Sequence, residues 1–294
     1  MLTSIIAVTI TAPDLAAVER AYGQYLDYRV VDRGSLPADL AGLWAAPALA
    51  GREYLVMQPA SGAPVYLRLV RQEPVEGYAA MRTWGWNSNE ILVQDTQAVH
   101  ARLANSPFKV IGPPRGLSMN PDIVAMQALG PAGELVYLTC IPEGLAAFNL
   151  GSARSFVDRS FIVVLGGPDM EAMRRFYAET LGMPTTEPAP STITVLARAW
   201  GLPDTTQFPL GLVRFAEHFL IELDEYPAGA KARPGRSGEL PPGMAMVSFG
   251  VRSLDDVHAG FLAGPRLIEC LPYSGRRAAL LRGAAGELIE LVEQ

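Results

Sequence analysis

Two short segments, FLIELDE and LIELVE, carry the glutamates Glu222 and Glu290 among largely aliphatic neighbours. Carboxylates in apolar surroundings resist ionisation. Two brought face to face resist ionising together, so one keeps its proton and the pair can serve as general acid and base. A second segment, MRTWGWNSNEILV at 81–93, spaces Trp84, Trp86, Ser88 and Glu90 two residues apart. That is the period of one strand face, so these four predict an aromatic wall carrying a hydroxyl and a carboxylate.

The elements that must position these residues announce themselves by repetition. SIIAVTITAPDLAAVERAYGQYLDYRV at 4–30 matches SFIVVLGGPDMEAMRRFYAETLGM at 160–183, with Pro13 and Asp14 on Pro168 and Asp169, Tyr22 on Tyr177 and Leu26 on Leu181. QDTQAVHARL at 94–103 matches RSLDDVHAGF at 252–261, placing His100 on His258, and GPAGELVYLTCI at 130–141 matches GAAGELIELVEQ at 283–294. Near-constant offsets over three segments imply two homologous halves. Each half is itself two units: an aliphatic strand, a Pro-Asp or similar cap, an amphipathic helix, then three short strands. The predicted fold is α+β, four βαβββ modules paired into two incomplete barrels. The expected domains are 1–142 (modules 1–71 and 82–142) and 157–294 (modules 157–227 and 243–294), joined by a linker at 143–156. The helix of the last module is expected to run through His258.

Bulk composition narrows the partners. The chain has 294 residues, 49% hydrophobic and 18% charged, with a net charge of −6 and scattered Lys and Arg. That supports packed cores and offers no basic stripe for nucleic acid. No run reaches the roughly 20 apolar residues of a membrane span. MLTSIIAVTITAPDL has no basic n-region and a short apolar run, so it reads as a first strand rather than a leader. Cys140 and Cys270 lack C-x-x-C spacing and read as reduced packing residues, which fits a cytoplasmic protein.

The strand, Pro-Asp-Leu/Met, helix ending in Tyr and Leu, and terminal Gly-Glu-Leu-Ile-Glu-Leu resemble the vicinal oxygen chelate superfamily of glyoxalases, bleomycin-resistance proteins and extradiol dioxygenases. The resemblance spans essentially the whole chain. It implies that two modules curl into a cup holding a ligand, and that a metal is bound by one position in each module's first strand, usually His, and one in each last strand, usually Glu. Those positions fall on Ala7, Arg68, Ser88 and Tyr137 in the first half and on Ile162, Met246, Glu222 and Glu290 in the second. None is histidine; the chain has only three. Aliphatic and thioether groups cannot replace imidazole for a divalent ion. The expectation is therefore a protein without metal or other cofactor.

Pairing modules within each half would place Glu222 and Glu290 as catalytic groups in one cup walled by Met246, Ser248 and Ile162, unless Arg214 or another cation neutralises them. The other cup would be lined by Arg68, Trp84, Trp86, Ser88, Glu90 and Tyr137, a surface suited to a planar ligand with a polar or anionic group. His100 and His258 read as packing or surface residues, His218 as a hairpin-turn residue, and PAGAKARPGRSGELPPG at 227–243 as either a lid or a solvated linker. The function these residues favour is metal-free proton transfer on a small aromatic or planar molecule, of lyase or isomerase type. Sequestration of an antibiotic-like compound is the alternative, and ring cleavage of the dioxygenase kind is disfavoured by the missing histidines. Four modules complete two cups within one chain, so a homodimer is left open rather than required.

Overall fold

The computed structural model describes residues 2–118, 120–145, 149–258 and 260–294, so Ala146–Phe148 of the expected linker and Ala259 of the expected last helix lie outside the described residues. The first module runs β1 (Leu2–Ala12), α1 (Leu15–Leu26), β2 (Arg29–Ser35), α2 (Ala38–Leu43), a 3-10 turn at Pro47–Leu49, β3 (Glu53–Gln58) and β4 (Tyr66–Arg71). The second runs β5 (Gly85–Val93), α3 (Thr96–Leu103), β6 (Lys109–Gly116), β7 (Val124–Leu129) and β8 (Leu135–Cys140). In the third, β9 (Val157–Gly167) and α4 (Met170–Arg175), which widens into a π-turn at Phe176–Thr180, precede β10 (Ala189–Thr192), α5 (Thr194–Ala199), β11 (Gln207–Arg214) and β12 (Leu220–Glu225). The fourth contains β13 (Met244–Val251), β14 (Ala263–Ile268), β15 (Arg276–Arg282) and β16 (Leu288–Glu293).

Capping follows the sequence signals. Asp14, Asp95 and Asp169 each accept backbone N–H bonds from the first turn of α1, α3 and α4. The last module departs from its pattern, for the expected helix through His258 is a turn. There the Ser253 hydroxyl accepts from Asp255 N only two residues on, Glu293 takes the Leu254 N–H, and Arg277 holds the Asp255 carboxylate. These local bonds compete with a helix nucleus, and Gly260 and Gly264 follow too soon to let one propagate.

The strands form two eight-stranded sheets, ordered β14-β15-β16-β13-β1-β4-β3-β2 and β10-β11-β12-β9-β5-β8-β7-β6. Within a module the first strand lies parallel to the last, as β1 with β4 and β13 with β16. Between modules the first strands pair antiparallel, β1 with β13 and β5 with β9. Each cup therefore takes one module from each half, the first with the fourth and the second with the third. The expectation that each half closes its own cup is corrected by this topology.

Inherited residues hold the two modules of each half back to back instead. The Tyr22 ring on α1 meets Phe108 edge-on at 5.3 Å, and Glu134 of the GEL motif lies against the same tyrosine. The repeat reproduces this when the Tyr177 hydroxyl donates to Glu287 at 3.2 Å. The largest core fills the space between the sheets and includes Trp86, Phe249 and Phe215. Trp86 was expected in a cup. A bulge in the pairing of β5 with β9 between Trp86 and Ser88 turns its indole to the sheet's other face, where it is fully buried and donates to the Leu288 carbonyl at 2.7 Å. Trp86→Ala is expected to destabilise the chain by roughly 3–5 kcal/mol, measured by urea unfolding, through loss of this inter-sheet packing.

Candidate functional site

The first cup, built by the first and fourth modules, holds a closed polar cluster. Thr9 on β1 and Arg68 on β4 are register partners, as are Ser248 on β13 and Glu290 on β16. Trp44, just after α2, and Tyr273, before β15, complete it. Arg68 donates through Nε to Thr9 Oγ1 (3.0 Å), through Nη1 to the Tyr273 oxygen (2.6 Å), and through Nη2 to Ser248 Oγ (3.1 Å) and Glu290 Oε2 (3.0 Å). Glu290 Oε1 accepts from Trp44 Nε1 at 2.7 Å and the Tyr273 hydroxyl at 2.6 Å, while Oε2 also takes the Ser248 hydroxyl. The guanidinium lies 4.4 Å from the centre of the Trp44 ring.

The Arg68 and Glu290 side chains are 1% and 0% exposed, which decides what this cup can do. A buried ion pair recovers its desolvation cost only when every lone pair and proton is used, and here both Glu290 oxygens are doubly occupied. The structure thus brings together Arg68, Met246, Ser248 and Glu290, not Glu222 with Glu290. The carboxylate position of a metal site already holds a guanidinium, and its companions Ala7 and Met246 are not ligands for a divalent ion, so the cup does not fit a metal.

The second cup, built by the second and third modules, is less closed. Glu90 on β5 lies level with Tyr137 on β8 and with Ile162 on β9. Val164 on β9 is flanked by Ser88 and Glu222, and Gly166 pairs with Asp224 on β12. Period two puts Asp224 on the same face as Glu222. Gly166 is required here, because a Cβ would meet the Tyr226 ring at 2.1 Å. Apolar walls come from Leu135, Ile193, Val195 and Phe208, and Glu222 is partly exposed where Arg68 and Glu290 are not.

None of Glu90, Glu222 and Asp224 forms an ion pair among the described residues. Burial pushes the Glu90 carboxyl up to about 7, restrained by the Thr139 hydroxyl, which donates to it at 2.5 Å. Burial, then the Glu90 charge, pushes Asp224 up to about 8; burial, then Asp224 and Glu90, holds Glu222 well above the carboxylate range. Burial likewise holds the Tyr137 and Tyr226 phenols well above theirs. Ser88 Oγ, Asp224 Oδ1 and the Tyr226 hydroxyl are buried without a partner among the described residues. Such groups cost stability unless a water or ligand meets them. This cup does not fit a metal either: among the described residues no three His, Cys, Asp or Glu side chains are grouped so as to hold an ion.

Glyoxalase I from Zea mays superposes with a TM-score of 0.64 at 14% identity, covering 99% of this chain and 92% of that one. A mutant of the same enzyme gives 0.66 at 13%, covering 99% and 93%. The chain has the vicinal oxygen chelate fold. No protein-family model matches it, and no curated protein does. Among the described residues no helix is long and apolar enough to cross a membrane.

Within this fold the lining expected from sequence is redistributed. Ser88, Glu90, Tyr137 and Glu222 share the second cup, Arg68 belongs to the first, and Trp84 packs between the second cup's core and the inter-sheet core. The three histidines lie on α3, at the β11–β12 hairpin and in the turn after β13. Asp224 and Tyr226 were missed, although alternation through FLIELDEY carried the signal. Tyr273 and Trp44 stand outside strands, and no local pattern marks their convergence on Glu290.

Two outcomes follow from the geometry. Arg68→Met leaves Glu290 buried without its cation and is expected to cost roughly 3–5 kcal/mol in urea unfolding, most of it recovered when Glu290→Leu is added. In the second cup the folded chain retains protons that the unfolded chain releases near the ordinary carboxylate value of about 4. Stability is therefore fully present below that value and declines as pH rises through about 7 and 8. The thermal midpoint should fall between about pH 5 and pH 8, and Glu90→Gln should flatten the fall.

Proposed function

We propose that the second cup is the working site, and that it catalyses proton transfer on a small, neutral, planar carbonyl compound without a metal, as a lyase or isomerase. The observation that carries this reading is the trio Glu90, Glu222 and Asp224, which share a partly apolar cup with no cation beside them among the described residues. Carboxylates whose proton affinities are spread around neutrality supply both an acid and a base at once. Glu90, whose carboxyl is held lower than that of Asp224, is the base that takes a proton from carbon next to the carbonyl. Asp224 or Glu222 gives its proton to the carbonyl oxygen, with the Ser88 and Tyr226 hydroxyls as further donors. The enol then returns its O–H proton to that acid while Glu90 gives its proton to a different, conjugated carbon, which is isomerisation, or to a departing group on the next carbon, which is elimination. With Arg68 in the other cup, an anionic substrate gains no counter-charge here and is repelled by the carboxylates.

The same trio also suits a second reading, retention without turnover of a compound bearing an amine, which would pair with carboxylates that have no internal cation. Deuterium exchange at activated C–H positions separates the two. Neutral cyclic ketones and enones in D2O, followed by NMR, should show exchange that Glu90→Gln and Asp224→Asn each slow about 10²- to 10⁴-fold, with a pH profile rising near pH 7. Saturable binding of amines with no exchange in any carbonyl compound would select retention, and exchange indifferent to both substitutions would remove the trio from the chemistry.

A further inference from the structure

A cavity of about 430 Å³ lies where the 227–243 segment crosses the junction of the two sheets, outside the carboxylate cup and bordered by Trp44 of the first. The volume falls within the roughly 300–1,000 Å³ of small-molecule sites. The segment is ordered along this junction: the Lys231 carbonyl accepts from Trp84 N at 2.9 Å, and Arg236 donates to the Pro74 carbonyl at 2.6 Å. Arg233 is anchored most firmly. Its Nη1 donates to the carbonyls of Met244 (2.7 Å) and Pro242 (3.4 Å), and its Nη2 to that of Trp86 (2.6 Å).

Those three bonds position the Arg233 guanidinium but do not neutralise it. Among the described residues no carboxylate pairs with it, its Nε is buried without a partner, and one Nη2 hydrogen stays unused after the bonds above. Arginine cannot shed its proton to escape such a site. The other charges on the cavity wall do not compensate. Glu239 is held by Arg236 at 3.2 Å, and Glu287 feels the charge of Arg282, so these four offset one another and leave Arg233 over. The surplus is positive. Beside it stands the Trp84 indole, whose Nε1 is also buried without a partner.

We propose that this junction cavity binds a small planar organic anion, an aromatic carboxylate being the simplest, with its charge toward Arg233 and Arg282 and its ring along Trp84. The positive surplus selects the charge and the indole selects the flat ring. This site is separate from the carboxylate cup, whose charge excludes the same molecules.

Sodium benzoate titrated into the full chain, followed by calorimetry and tryptophan fluorescence, should bind saturably at one site. Arg233→Gln should abolish binding; because that guanidinium also holds three carbonyls, Ala284→Glu, on the exposed cavity wall, is the decisive variant. It should weaken benzoate at least about tenfold without lowering the unfolding midpoint. Cyclohexanecarboxylate should bind more weakly than benzoate, and Glu222→Gln should leave benzoate affinity unchanged. Absence of saturable benzoate binding, benzoate affinity indifferent to Ala284→Glu, loss of it in Glu222→Gln, or inorganic phosphate binding as tightly as benzoate would each overturn the proposal.

Discussion

The antiparallel pairing of first strands, β1 against β13 and β5 against β9, is the constraint on which everything else in this molecule rests. Each pairing joins a module of one half to a module of the other, so the cups are shared between halves and neither half could form one alone. A side chain's partners are then fixed by which strand lies beside its own. Arg68 meets Glu290 because β4 and β16 flank the β1–β13 pair, and Glu90 meets Glu222 because β5 and β12 flank β9. The two modules of a half are tied across the sheets by a tyrosine and the glutamate of a GEL motif. That contact appears twice because the duplication copied it.

The two cups solve one electrostatic problem in opposite ways. A last-strand carboxylate in an apolar barrel must be paired, hydrogen-bonded or neutral. In the first cup a guanidinium, two hydroxyl donors and an indole N–H satisfy Glu290 on both oxygens, and burial holds the Tyr273 phenol above its usual range so that it remains a donor. The result is a sealed polar core with no remaining capacity for a guest. In the second cup no cation arrives among the described residues, three carboxylates share the lining, and burial with mutual repulsion keeps protons on them. What stabilises one cup as structure is missing from the other, whose carboxylates have no internal cationic partner among the described residues.

The junction between the sheets lies outside the carboxylate cup and is crossed by the connection from the third module to the fourth. The third-to-fourth module connection is long and carries three cations, of which Arg233 is pinned by carbonyls rather than carboxylates. Charge fixed this way keeps its field, because a carbonyl dipole orients a guanidinium without cancelling it.

The sequence by itself determined the modular α+β fold, since apolar alternation, aspartate caps and matched segments are local properties that survive in any register. It also determined that the chain has only three histidines, His100, His218 and His258. It placed Ser88, Glu90 and Tyr137 on one lining and Glu222 on a cup wall, while Asp224, two residues on in FLIELDE, went unread. Only the tertiary structure decided which modules pair, because the four first strands are too alike for sequence to rank their partners. That choice moved Arg68 onto Glu290 and separated Glu290 from Glu222. The bulge after Trp86 is likewise invisible in period-two spacing, because one extra residue in a strand reverses faces without changing composition.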